Sequence, residues 1–225
     1  MKRITVLLAE DHQIVREGFR ALLKHEDDIE VVGEAETGRQ AVQLTRKLRP
    51  AVVVMDIAMP LLNGLEATRQ IRKDFPDTKV LILSAHSDEA YVEQVTELGA
   101  AGFLLKQTSS HNLATAIREV QKGKTFFGPA SAGRAQERSQ KSLDREGNLK
   151  KKSNRLSSRE VEVLQLIAEG KPNKQVAAEL GVSFKTVDKH RQHLMSKLNI
   201  HDIAGLTRYA IAEGIIESSV RLTIA

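Results

Sequence analysis

Short apolar runs at residues 4–9, 29–33, 51–56, 79–84 and 102–105 punctuate the first half of the chain. Between them, apolar residues recur at helical spacing: Val15/Phe19/Leu22/Leu23, Ala41/Leu44/Leu48, Leu65/Thr68/Ile71, Val92/Val95/Leu98 and Leu113/Ile117/Val120. A strand rhythm repeated every ~20 to 28 residues with a helix between successive strands predicts a (βα)5 unit. Runs so continuously apolar are strands covered on both faces, as in a doubly wound parallel sheet, here of order 2-1-3-4-5.

The pattern changes at Pro129. From 129 to 154 the only large aliphatic residues are Leu143 and Leu149, so the segment lacks the apolar surface to offset ordering and reads as a flexible basic linker. Lys150-Lys151-Lys152 closes it as a solvated charge run or a supplementary phosphate contact. Beyond it the pattern is helical throughout. Ser157-Ser158-Arg159-Glu160 has capping-box spacing, with Val161, Leu164 and Ile167/Ala168 following and Gly170 as the stop. Asn173 is positioned to cap a second, shorter helix carrying Val176, Ala177 and Leu180. After Gly181-Val182, Ser183 caps a third helix running through Leu198. A short helix, a three-residue turn and a longer helix form a helix-turn-helix layout. A fourth helix over 202–213 carries Ile203, Leu206, Tyr209 and Ala210. The expected organisation is therefore an α/β domain over 1–128, a linker over 129–154 and an all-α four-helix domain over 155–225.

Composition narrows the class. With 225 residues, 41% hydrophobic and 28% charged, the chain is an ordinary globular protein rather than a fibrous or wholly disordered one. No apolar run approaches a membrane span, and no signal peptide opens it, so a cytoplasmic location with no membrane partner is expected. The absence of cysteine removes disulfides, thiolate metal sites and cysteine nucleophiles. The net charge of +5 is unevenly spread. Residues 1–128 carry 17 Lys/Arg against 18 Asp/Glu, whereas 129–225 carry 17 against 11, and most of that excess lies in the linker.

Carboxylates stand where the strands end. Glu10 and Asp11 follow the first run and Asp56 closes the third. With strand order 2-1-3-4-5, the first and third strands are neighbours, and all three acids share the crevice at their carboxyl ends. Like charges so close call for a cation, and hard oxygen ligands on a partly open site suit Mg²⁺. Beside such an ion, the Asp56 carboxylate can attack a phosphoryl group to give an acyl phosphate. Ser84 and Lys106, closing the fourth and fifth strands, are placed to bind its oxygens, Lys106 as a fixed charge and Ser84 as a movable hydrogen-bond donor. A flavin-binding use of this flavodoxin-like fold is disfavoured, since Glu10-Asp11-His12 would repel a phosphate. Turnover as an Asp-nucleophile phosphatase lacks its second acid, because position 58 is Ala; enzymatic activity is expected only as self-phosphorylation and autodephosphorylation at Asp56. His12 reads as a polar neighbour without a chemical role, and Gly64 as a φ > 0 turn or a helix entry.

Residues 1–128 resemble the receiver domain of two-component response regulators. The likeness rests on Glu10-Asp11, on Met55-Asp56-Ile57-Ala58-Met59-Pro60 followed by Asn63-Gly64, on Ser84-Ala85, and on Gly102-Phe103-Leu104-Leu105-Lys106. It implies that Asp56 is the phosphoacceptor, supplied by a cognate sensor histidine kinase. It further implies that the Ala58 carbonyl joins Glu10, Asp11 and Asp56 around Mg²⁺, and that Phe103 is an aromatic switch following Ser84. Gln13 and Gln107 stand where Pro is frequent in that family; neither removes chemistry.

The helical part resembles the LuxR-type helix-turn-helix domain of the NarL/FixJ class. The matching residues run from Leu156-Ser157-Ser158-Arg159-Glu160 through Gly170-Lys171-Pro172-Asn173 to Ser183, Thr186-Val187, His190 and Lys197-Leu198. On the third helix, Val187, Leu194 and Leu198 form one stripe and Lys185, Asp188, Lys189, Gln192 and Ser196 another. Lys185, Lys189, Arg191 and Lys197 outweigh Asp188 there, as suits a helix in the major groove. The resemblance implies that Asp188, Lys189 and Gln192 face base edges and that Lys174, Lys185, Thr186 and Arg191 hold phosphates. Asp188 replaces a frequent Lys; it can accept from cytosine N4 while being repelled by phosphates. The fourth helix, through Leu206 and Tyr209, would pair two DNA-bound copies. The whole reads as a transcription regulator that phosphorylation converts to a promoter-binding homodimer. The alternative is a phosphorylation-independent DNA binder whose receiver-like domain is a constitutive dimerisation or docking module.

Overall fold

A computed structural model describes residues 3–85, 89–107, 110–127 and 156–216, and the chain divides into two compact units, Met1–Gly147 and Asn148–Ala225. The linker predicted at 129–154, with its lysine cluster, lies outside the described residues.

The first unit follows the alternation. Strands β1 (Ile4–Ala9), β2 (Ile29–Ala35), β3 (Val52–Asp56), β4 (Lys79–Ser84) and β5 (Gly102–Leu105) alternate with α1 (Gln13–Lys24), α2 (Gly38–Leu48), α3 (Gly64–Asp74), α4 (Glu89–Glu97) and α5 (Ser110–Gln121). All strand pairs are parallel and the order is β2-β1-β3-β4-β5-β6. The addition is β6 (Phe126–Phe127), which pairs with β5 through two residues. A strand that short has no alternation for sequence reasoning to detect.

The two-residue period of the strands divides the core. Val6, Leu8, Val52, Val54, Leu81 and Leu83 face one way, onto Phe19 and Leu23 of α1 and Leu113, Ile117 and Val120 of α5. Leu7, Ala9, Val53, Met55, Val80 and Ile82 face the other, with Ala41 of α2, Ala67 and Ile71 of α3, and Val95 of α4. The edge strand β2 departs from the expectation of burial on both faces: only Ile29 and Ala35 are buried, because a strand with one neighbour is half covered.

The second unit is α6 (Ser158–Ala168), α7 (Asn173–Leu180), α8 (Phe184–Leu198) and α9 (Ile203–Ala212). Its core is Val163, Leu164, Leu166, Ile167, Val176, Leu180, Val187, Leu194, Leu206 and Ala210. Ser157 makes the predicted capping box with Glu160, and Ser183 accepts from the Thr186 amide. Gly181 adopts the left-handed conformation (φ 62°) that ends α7 and lets the chain turn into α8. Asn173 is not the cap of α7. Pro172 holds that position in an extended conformation, and Asn173 instead accepts from Arg191 Nη1 at 3.1 Å, tying α7 to α8.

Candidate functional site

The acidic crevice follows from strand register. Pairing of Ala9 with Met55 and of Asp56 with Leu83 brings the ends of β1, β3 and β4 to one level. Glu10 and Asp56 are each only 2% exposed, whereas Asp11 is half-buried at the rim. Lys106 reaches in from the end of β5, with Nζ 2.8 Å from Glu10 Oε2 and 2.9 Å from Asp56 Oδ2. Its amide donates to the carbonyl of Ser84 at 2.8 Å, so the ends of β4 and β5 are fastened together. Ser84 is buried, and Ala58, two residues past β3, is half-buried.

Electrostatically the crevice is unbalanced. Burial first, then the charge of Glu10, and to a lesser degree Asp11, push the Asp56 carboxyl up to about 7, against the opposing pull of Lys106. Burial alone would depress Lys106, yet Asp56 and Glu10 hold its ammonium above the ordinary lysine range. Glu10 Oε2, Asp11 Oδ1 and Asp56 Oδ2 are buried and have no well-aligned hydrogen bond. Glu10 Oε2 and Asp56 Oδ2 instead lie in ionic contact with Lys106, and Asp11 Oδ1 lies against His12 Nδ1. Ligand atoms of Glu10, Asp11, His12 and Asp56 all lie within 4.8 Å of one another. Oxygens with spare lone pairs converging on one point fit a hard divalent cation. His12 is largely exposed and lies 2.9 Å from Asp11 Oδ1 and 3.1 Å from Glu10 Oε1 through Nδ1, which brings it closer to the cluster than a bystander.

Two backbone features hold this arrangement. Gly64 begins α3 and does not adopt positive φ; the glycine is required instead by close approach, since a Cβ there would lie 1.8 Å from the Asp56 carbonyl oxygen. Its amide donates to Ile57 O at 2.7 Å. The second feature is Arg16, which sequence reasoning missed. It is buried, and Nη1 donates to the Glu10 carbonyl at 2.7 Å while Nε and Nη2 bond Glu34 and Glu36. Those partners are 18 and 20 residues away, so no local pattern reveals them.

Phe103 is 2% exposed, inside the core beside its register partner Ile82.

In the helical unit, α8 presents Lys185, Lys189 and Gln192 as exposed side chains, with Thr186, Asp188 and Arg191 half-buried beside them. Lys174 is exposed on α7. Gln192 Nε2 donates to Asp188 Oδ2 at 3.0 Å, so these two act as a pair. Lys197 leaves the expected charge count: its Nζ lies 2.6 Å from Glu160 Oε2 and completes the cap of α6. With Ser157, it keeps the Glu160 carboxyl below the usual range despite burial. The expectation for Leu206 is corrected. It is 0% exposed because α9 lies against α6 with that side inward, so it is a core residue and not a surface for a second copy. Tyr209 is half-buried, and the large apolar residues that α9 does expose are Ile203 and Ile211.

Residues 6–118 match the response regulator receiver domain and residues 154–210 match the bacterial regulatory proteins of the luxR family. The chain belongs to the response-regulator family. Among curated relatives of this response regulator, the oxygen regulatory protein NreC of Staphylococcus carnosus is 38% identical over 214 residues, covering 94% of this chain and 99% of that protein. The transcriptional regulatory protein LiaR of Bacillus subtilis is 40% identical over 207 residues, covering 92% and 96%. Among solved structures, the RcsB response regulator of Salmonella typhimurium superposes with a TM-score of 0.60 at 30% identity, covering 95% of this chain and 99% of that one. RcsB has also been solved as two dimers bound to two parallel DNAs, which matches with a TM-score of 0.56 at 30% identity over 92% of this chain and 98% of that one. This response regulator is therefore a transcription regulator with a flavodoxin-like receiver and a LuxR-type DNA-binding domain. Among the described residues, no helix is long and apolar enough to cross a membrane.

Proposed function

We propose that Asp56 is the phosphoacceptor of this response regulator and that its phosphorylation controls promoter binding. The observation that carries the reading is the buried convergence of Glu10, Asp11 and Asp56 on Lys106. An Asp56 carboxylate oxygen bonds to phosphorus as the bond from phosphorus to a sensor kinase's histidine nitrogen breaks, and that nitrogen keeps the electron pair. Glu10, Asp11, Asp56 and the Ala58 carbonyl would hold Mg²⁺, which when bound neutralises phosphoryl oxygens. Lys106 supplies a fixed positive charge that favours ionised Asp56 and then pairs with the transferred group. The Ser84 hydroxyl donates to the new phosphoryl oxygens, and its movement vacates space that Phe103 fills, altering the receiver surface.

In the second domain Asp188, Lys189 and Gln192 read base edges while Lys174, Lys185, Thr186 and Arg191 hold phosphates. Arg191 does so from a position braced by Asn173. Residues 129–154 link the domains over 1–128 and 155–225. Phosphorylation favours a homodimer on DNA, in which α9 pairs the copies through Tyr209 with the exposed Ile203 and Ile211. A hundredfold activation would need a coupling of ~2.7 kcal/mol. The test is intact mass after incubation with acetyl phosphate and Mg²⁺: one phosphate is gained by the native protein and none by Asp56→Asn. The reading fails if the native protein gains none. If the phosphate is gained but DNA affinity and oligomeric state stay unchanged, the receiver is instead a constitutive docking module.

A further inference from the structure

The roles above give no part to the one large apolar side chain that α8 exposes. Phe184 opens the helix and is 57% exposed, the one aromatic among the large apolar side chains exposed in the described residues. It has no evident structural duty. The cap is supplied by Ser183, and the staple positions that fix a helix entry fall on Val182 and Val187 instead. Val187 and Leu194 are the buried residues of the helix, on a stripe that flanks Phe184 on the side away from Asp188 and Gln192.

Helical spacing puts Phe184 in line with Asp188 and Gln192, the pair joined at 3.0 Å, at i, i+4 and i+8. Lys185 and Lys189, both exposed, run alongside one residue further on. An apolar ring within a cationic, hydrogen-bonding stripe at the start of a recognition helix is matched by duplex DNA: phosphates answer the lysines and base edges answer the polar pair. The ring makes no hydrogen bond to a base. The apolar feature that the major groove offers it is the C5 methyl of thymine.

We propose that Phe184 is a specificity residue that packs on a thymine methyl in the major groove. The proposal rests on the DNA-reading assignment of α8 and adds a base preference to it. Asp188 and Gln192 then read neighbouring positions by hydrogen bonding, and Phe184 reads an adjacent one by shape and methyl contact.

The test uses the full-length protein, phosphorylated with acetyl phosphate, and a randomised duplex pool. The native protein should enrich a thymine at one position of each half-site, and Phe184→Ala should lose that enrichment. Replacing that thymine by deoxyuridine removes only the methyl. The native protein should then bind about fourfold more weakly, the equivalent of one methyl returned to water. Phe184→Ala should bind the thymine and deoxyuridine duplexes alike, Phe184→Leu should retain the thymine preference, and unchanged thermal denaturation should show that the exposed site leaves the fold intact. The proposal is overturned if Phe184→Ala selects and binds as the native protein does, or if both proteins lose equally on deoxyuridine. It is also overturned if the variant alters self-association with no change in DNA affinity, which would make Phe184 a protein contact. A native protein that selects no duplex at all would overturn the DNA reading itself, a result distinct from native binding that the variant merely matches.

Discussion

Lys106 and Lys185 carry the same ammonium group, yet the two domains use it in opposite ways. Lys106 has a side chain only 17% exposed and is held between Glu10 and Asp56. Lys185 stands exposed on the outer face of α8. A small ligand that enters a crevice meets charges already fixed by strand ends, so specificity comes from enclosure and the cost is mutual repulsion among buried acids. A duplex does not enter a crevice; it must be met by a convex surface, where each cation is separately weak and their number sets the affinity. Perturbing one residue should therefore do more damage in the receiver than on α8.

The sharpest way to break this contrast is Arg16→Ala. It strips the Glu10 carbonyl, Glu34 and Glu36 of a buried shared donor, and the receiver should lose about 2–4 kcal/mol, measured as the midpoint shift of its urea transition; most of this comes from the buried Glu10 carbonyl, since Glu34 and Glu36 reach solvent. A loss below about 1 kcal/mol would mean the crevice stands without that brace.

The next effect is a pH dependence. Asp56 titrates near 7 in the folded state against an ordinary value of 3.8, so between those values the folded chain holds a proton the unfolded chain has lost. The stabilising contribution is therefore complete below about pH 4, declines as pH rises, and is gone above about 7. In chelator, thermal denaturation should show Asp56→Asn more stable than the native protein at pH 8 by roughly 1–3 kcal/mol, with the gap closing at pH 5 and on adding Mg²⁺. A gap that widens toward acid would have the wrong sign.

Smaller still, Ser157→Ala should cost the helical domain ~1 kcal/mol, read from its melting temperature, through loss of the capping box. Least in energy is Lys185→Ala, which should weaken binding to every duplex alike and flatten the salt dependence by nearly one unit. An unchanged slope would remove Lys185 from the phosphate contacts.

How much was legible in the sequence tracks the range of the forces involved. The strand ends carrying Glu10, Asp56, Ser84 and Lys106 announced themselves because each acidic or polar residue terminates an apolar run. The caps at Ser157 and Ser183 were legible because capping is settled within three residues. Lys197 enters the charge count of the third helix without being free for DNA, since its partner Glu160 is 37 residues away and a helical wheel knows nothing of it. Leu206 failed for the same reason: the wheel shows an apolar stripe on α9 but not that α6 covers it. Asn173 lost its expected role to Pro172 once Arg191, from another helix, offered it a better donor.

Gly64 leaves no room for even a methyl group beside the peptide of Asp56, so the start of α3 is seated directly on the residue proposed as the phosphoacceptor. Any displacement of that segment, whether from a substitution, a bound protein or a neighbouring helix that shifts, must tug on the main chain of Asp56. On that proposal the receiver is tunable from a position outside the acidic crevice, and a Gly64→Ala strain would inherit a mis-set aspartate with Glu10, Asp11 and Lys106 all still in place.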